Sequence, residues 1–179
     1  MSESAHSRKY PFHWELLGDL RLGRPNMGPI TNLHAYRLMQ YTLRDVLEQT
    51  VGSEQADRVF YAAGRLAGQQ FYQNALKPVS DLSQFIRELT LTLREWGIGI
   101  LRMEKLDLEH GEIILTMSED LDCSGLPEID TEICVYDEGF FCGLLESFTG
   151  LNFKVKEIDC WCTGDRTCRF RAEVIPIPQ

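Results

Sequence analysis

The sequence predicts an α+β domain: one antiparallel sheet of two hairpins, about four helices packed against it, and an N-terminal extended arm. Three observations lead there. Apolar residues recur at helical spacing through most of residues 32–97, with a stop signal after each run. The period then shortens to alternation over 98–117. Finally, an apolar helical run at 137–149 is followed by two alternating runs around Thr163-Gly164-Asp165. Helices, a hairpin, a helix and a hairpin is the order of segregated α and β layers.

Each element has its own signals. Residues 1–11 are polar and read as a disordered tail, leaving 12–179 as one domain. Residues 12–30 carry Phe12, Trp14, Leu16, Leu17, Leu20 and Leu22, then Gly23, Pro25, Gly28 and Pro29. That is too apolar for a free tail and too broken for a long helix, so a short strand or extended arm is expected. The first helix spans about 32–51, with Tyr36, Met39, Leu43, Val46 and Leu47 on one face and Gly52 as its stop. Ser53 is placed to cap the second, whose Ala62, Ala63, Gly64, Ala67 and Gly68 let another backbone or a ligand approach closely. Ser80 or Asp81 caps the third, which runs through Phe85, Leu89 and Leu93 to Trp96 and closes at Gly97. Residues 98–108 and 112–117 form a hairpin through His110-Gly111, and an acidic loop with Cys123 covers 118–131. Ile133-Cys134-Val135 reads as extended, and the fourth helix ends at Gly150. The closing hairpin pairs 151–162 with 167–175.

Composition excludes several functions. Acidic residues outnumber basic ones 27 to 18, which argues against a nucleic-acid surface. No apolar run approaches the roughly 20 residues of a membrane helix, and the N-terminus lacks a secretory hydrophobic region. A cytoplasmic protein is expected, without direct nucleic-acid or membrane contact. Neither GxGxxG nor GxxxxGK[ST] occurs. The four histidines are scattered, and Glu119-Asp120 resembles solvated loop charge more than an acid–base pair.

The chemistry is concentrated in six cysteines. With no secretory signal, metal binding or reduced thiols are favoured over disulfides. Glu157-x-x-Cys160 precedes Cys168 across the Gly164 turn, and Cys134 would complete three thiolates and a carboxylate. Such a set saturates tetrahedral Zn²⁺ and leaves no open position, so the site is structural. Residues 157 and 160 point to opposite faces of a regular strand, so the strand must bulge or end near Asp159 for both to reach one metal. Cys162 shares the parity of Cys160 and competes as a ligand. The alternative is that several of these cysteines are small buried hydrophobes.

The run Gly139-x-x-x-Gly143 with Cys160-Trp-Cys-Thr-Gly-Asp-Arg-Thr-Cys168-Arg-Phe170 resembles the 4-vinyl reductase domain family, also called predicted hydrocarbon-binding proteins. The resemblance covers about 98–175. Over 12–97, Leu16-Leu17-Gly-Asp-Leu-Arg and the small-faced second helix are similar to the sensor domains of phenol- and xylene-responsive bacterial activators. It implies a small-molecule-binding domain, homodimeric, with zinc on Cys134, Glu157, Cys160 and Cys168. The phenol sensors use a pocket histidine; the third helix here carries Phe85 and no histidine. An apolar or aromatic ligand would lie between helices and sheet, against Phe60, Phe85, Trp96, Phe141 and Leu144. Two alternatives remain from the resemblance: a tetrapyrrole-binding accessory protein of (bacterio)chlorophyll-type metabolism, and a non-catalytic adaptor like subunits of the eukaryotic vesicle-tethering particle. No hydride-donor site is apparent, so the sequence points to binding rather than catalysis.

Overall fold

The structure is a computed structural model that describes residues 8–107 and 110–176. Residues 1–7 of the expected tail and Leu108 at the end of the first expected strand lie outside the described residues. The chain divides into two compact units, residues 1–31 and 32–179.

The first unit contains no strand among its described residues. It has a 3-10 turn, Trp14–Leu17, and a single helical turn, α1, Leu20–Gly23. Gly18, at φ +78°, separates them. The Asp19 carboxylate accepts the amides of Arg21 and Leu22, so a local side-chain cap decides for helix over extended chain.

The second unit is α+β, as the periodicity predicts. Helices α2 (Leu33–Val51), α3 (Ser53–Asn74) and α4 (Leu82–Glu95) precede strands β1 (Ile100–Asp107) and β2 (Glu112–Ser118). Helix α5 (Val135–Thr149) and strands β3 (Phe153–Asp159) and β4 (Cys168–Val174) complete it. Asn32 and Asp81 cap α2 and α4. Ser53 is the first helical residue of α3 rather than its cap; its hydroxyl donates to Glu48. The expected extended piece at Ile133-Cys134-Val135 is instead the entry to α5, with Cys134 at the N-cap position.

The two hairpins join into one antiparallel sheet, ordered β1-β2-β4-β3. Met117 stands opposite Cys168, Leu115 opposite Phe170 and Ile113 opposite Ala172. These six side chains are buried on one face, while Arg169, Arg171 and Glu173 alternate to the other. Helix α5 packs between that sheet and α3 and is buried on nearly every side, which explains its unbroken apolar sequence. Gly64 and Gly68 of α3 interlock with Gly139 and Gly143 of α5. A Cβ at any of the four would stand 2.0–2.1 Å from a carbonyl oxygen of the facing helix. The small-faced second helix thus admits a backbone, as its sequence allows.

Candidate metal centre

Four cysteines converge where the hairpin, α5 and the loop after β2 meet. Cys134 precedes the first turn of α5. Cys160 follows β3 and opens a 3-10 turn, Trp161–Thr163. Its carbonyl accepts the amides of Thr163 and Asp165, and Gly164 takes a left-handed φ of +98°. Only glycine turns there without strain. That turn delivers Cys168 to the start of β4. Cys123 comes from the loop, where the Asp120 carboxylate accepts the amides of Asp122 and Cys123.

The Sγ atoms of Cys123, Cys134, Cys160 and Cys168 all lie within 4.8 Å of one another, and all four residues are fully buried. Cys134 and Cys168 are 3.9 Å apart, close to the edge of about 3.8 Å expected for a tetrahedron with metal–sulfur bonds of about 2.3 Å. Cys123 and Cys168 are 3.0 Å apart, far beyond the roughly 2.05 Å of a disulfide. As free thiols the group is internally hydrogen-bonded. Cys160 is pulled below its ordinary value by hydrogen bonds from Cys123, then Cys134 and Cys168. Cys134 and Cys168 are pushed up, first by their hydrogen bonds with Cys123.

Three of the four ligands expected from sequence are therefore together, and the fourth sulfur is Cys123, which the sequence reading left in an acidic loop. Glu157 lies behind them. The ladder between β3 and β4 shifts register between Glu157 and Asp159, the irregularity that strand parity demands. Glu157 Oε2 accepts the Cys134 amide at 3.1 Å, and its Oε1 is buried with no hydrogen-bond partner. Burial, then the charge of Cys160, raises the Glu157 carboxyl to about 8. Cys162, the competing candidate, is outside the four-sulfur group; its carbonyl accepts the amides of Ile129 and Asp130.

The loop carrying Cys123 is bound to α2 by polar contacts. Tyr36 and Gln40 donate to the two carboxylate oxygens of Asp122, at 2.8 and 2.7 Å. Tyr41 donates to the Asp122 carbonyl, and the Arg37 guanidinium to the carbonyls of Asp120, Leu121 and Ser124. Helical periodicity marks Tyr36 as an inward residue but cannot show that its partner is a buried carboxylate.

Residues 113–174 carry a 4-vinyl reductase domain. The matched span runs from β2 to the end of β4, so it contains all four clustered cysteines and Glu157. An uncharacterized protein of Methanocaldococcus jannaschii is 24% identical over 156 residues, covering 87% of this chain and 85% of that protein. Among solved structures, the phenol-responsive sensory domain of the transcription activator PoxR, with phenol, superposes with a TM-score of 0.61. It is 14% identical over 82% of this chain and 76% of that one. A vinyl-4-reductase family protein from Methanocaldococcus jannaschii superposes at 0.59, 16% identical over 83% and 85% of the two chains. These structures share the fold.

Of the five residues expected to line a ligand pocket in this 4-vinyl-reductase-type domain, Phe85, Phe141 and Leu144 are fully buried in the core. Phe60 is buried on α3, and Trp96 is half exposed with its ring 5.0 Å from Phe71. Phe85 stacks on Phe148 at 4.2 Å. A separate cleft of about 250 Å³ lies between α2 and the loop, against Tyr41, Arg44, Leu126, Ile129, Ile133 and Cys162. No helix among the described residues is long and apolar enough to cross a membrane.

Proposed function

We propose that this chain is a small-molecule-binding sensor module whose closing hairpin is stapled by a structural zinc ion. The observation that carries the metal is the closed group of four buried sulfurs. Removing four thiols from water with no cation among them has no evident structural return, whereas four thiolates fill a tetrahedral Zn²⁺ shell. Cys123, Cys134, Cys160 and Cys168 would hold the ion, with Glu157 behind Cys134 as its hydrogen-bond support. The bound ion supplies no chemistry beyond cross-linking, because no coordination position stays open. Six reduced cysteines suit a cytoplasmic setting.

The sensing part of the reading rests on the matched domain and on the fold shared with a phenol-responsive sensory domain. The ligand is apolar or aromatic, held among Phe60, Phe85, Trp96, Phe141 and Leu144 once the rings between helices and sheet move apart. The partner is a second copy of the chain, which covers the exposed apolar residues of the first unit. One observation favours a second reading, a non-catalytic adaptor: the Phe85–Phe148 stack fills space that a ligand would need. Native mass spectrometry of the purified chain separates these, since it reports metal, ligand and oligomer together. Zinc with a retained or added small aromatic supports the sensor. Zinc with no uptake of phenol or toluene at millimolar concentration favours the adaptor.

A further inference from the structure

Next to the four sulfurs is a second donor set that the first does not use up. Carboxylate oxygens of Asp120 and Asp137 and the Sγ of Cys134 lie within 4.8 Å of one another. Asp137 stands on the first turn of α5, and Asp120 at the start of the loop that carries Cys123. Asp120 is 4% exposed and Asp137 9%. Asp120 spends Oδ1 on the amides of Asp122 and Cys123. Asp137 Oδ2 is enclosed and has no hydrogen-bond partner. A carboxylate in that position calls for a proton or a cation.

The charge balance favours a cation. Four thiolates around one divalent ion already leave an excess of negative charge. Asp120, Asp122, Asp137 and Glu157 add carboxyls to the same buried region. Asp122 is matched by Tyr36 and Gln40, but Asp120 and Asp137 have no basic side chain among their described hydrogen bonds and ion pairs. Arg37 is adjacent, yet its guanidinium donates to carbonyl oxygens.

We propose that Asp120, Asp137 and Cys134 hold a second divalent cation, with the Cys134 thiolate bridging it to the ion of the four-sulfur site. A thiolate sulfur has lone pairs for two metals, and two oxygens with one sulfur suit a borderline ion such as Zn²⁺. With fewer sulfurs and a shared ligand, this second ion is the more weakly held. The inference rests on the four-cysteine zinc reading and goes beyond it in stoichiometry.

The test is zinc stoichiometry by native mass spectrometry on the full chain, after equilibration with excess zinc and removal of unbound metal. Wild type is expected to carry two ions, and Asp137→Asn and Asp120→Asn one each, with unchanged far-ultraviolet circular dichroism. Graded chelator should strip wild type in two steps and the variants in one. Asn at 120 keeps the oxygen that caps the loop, so Asp120→Asn decides the matter if Asp137→Asn fails to fold. One ion in wild type overturns the second site and leaves the first standing. Two ions retained in Asp120→Asn overturn the assignment of donors. No ion in wild type overturns both readings.

Discussion

Gly68 of α3 and Phe140 of α5 meet backbone to backbone: a Cβ on Gly68 would lie 2.1 Å from the Phe140 carbonyl oxygen. The obstacle is main chain, so no side-chain rotation relieves it. Gly68→Ala must spread the two helices and should cost about 3 kcal/mol or more, at the upper end of overpacking effects. Gly143→Ala, facing the Arg65 carbonyl at the same distance, should behave alike. Gly23→Ala, with nothing within 4 Å of the added carbon, is the control and should be close to neutral. Chemical denaturation midpoints measure all three. Equal midpoints for Gly68→Ala and Gly23→Ala would mean the helices do not approach this closely.

The fourth metal ligand can be assigned by paired substitutions. Cys160→Ser and Cys168→Ser should abolish zinc retention and destabilise the fold by several kcal/mol, since binding energy at a closed site is folding energy. Cys123→Ser should do nearly as much, while Glu157→Gln should keep the metal and lose only the support behind Cys134. The opposite ranking, with Glu157→Gln losing the ion and Cys123→Ser keeping it, would return the carboxylate to the ligand set. Cys142→Ser keeps the donor to the Phe153 carbonyl and should change stability by no more than about 1 kcal/mol. Elemental analysis with thermal melts reads the whole series.

The sequence shows three of these ligands and hides the fourth for a physical reason. Cys134, Cys160 and Cys168 lie on or beside regular elements, so spacing and strand parity constrain them. Parity even requires the irregularity found between Glu157 and Asp159. Cys123 lies in a loop without period, and its inward aim depends on Asp120 accepting two amides and on Tyr36, Gln40 and Tyr41 reaching Asp122 across more than 80 residues of sequence. The helices α2 to α5 and both hairpins are legible because each carries a clear period and a stop or cap. The arm is not: Asp19 and Gly18 act locally, and four-residue turns have too few positions to show a period.

Metal removal should invert the pH dependence of stability. Burial, then the charge of Asp122, raises the Asp120 carboxyl to about 7, and Glu157 rises to about 8. In metal-free protein both hold a proton more tightly folded than unfolded. Their stabilising effect is full below the unfolded carboxyl range near pH 4 and is lost as pH rises through about 7 to 8. Metal-free stability should therefore fall across that window. Zinc-loaded protein should do the reverse, because its ligand thiols have given up protons that the unfolded chain retains below its ordinary thiol range. Urea midpoints at several pH values between about 5 and 8, with zinc and with chelator, test this. Parallel slopes in the two series would rule it out.

The first unit should act in self-association. Phe12, Leu16, Leu17 and Leu20 are each 41–51% exposed, and Leu22 is 81% exposed. Covering such side chains is worth about 1.5–3 kcal/mol each, so together they supply a large drive to find an apolar surface. Along α2, Leu38, Met39, Leu43 and Val46 are also more than half exposed, and that helix has no fully buried residue. In a two-fold pair each chain offers both kinds of surface to the other, the commonest closed arrangement of identical subunits. Deleting residues 1–24 should weaken the dimer by at least tenfold while leaving the metal content of residues 32–179 unchanged, because no metal-site residue lies in the deleted segment. Met39→Glu should weaken it from the other side. Sedimentation velocity across low micromolar concentrations reads both variants. A truncated chain that remains dimeric there, with wild-type zinc, would show that the first unit is not the element that joins the subunits.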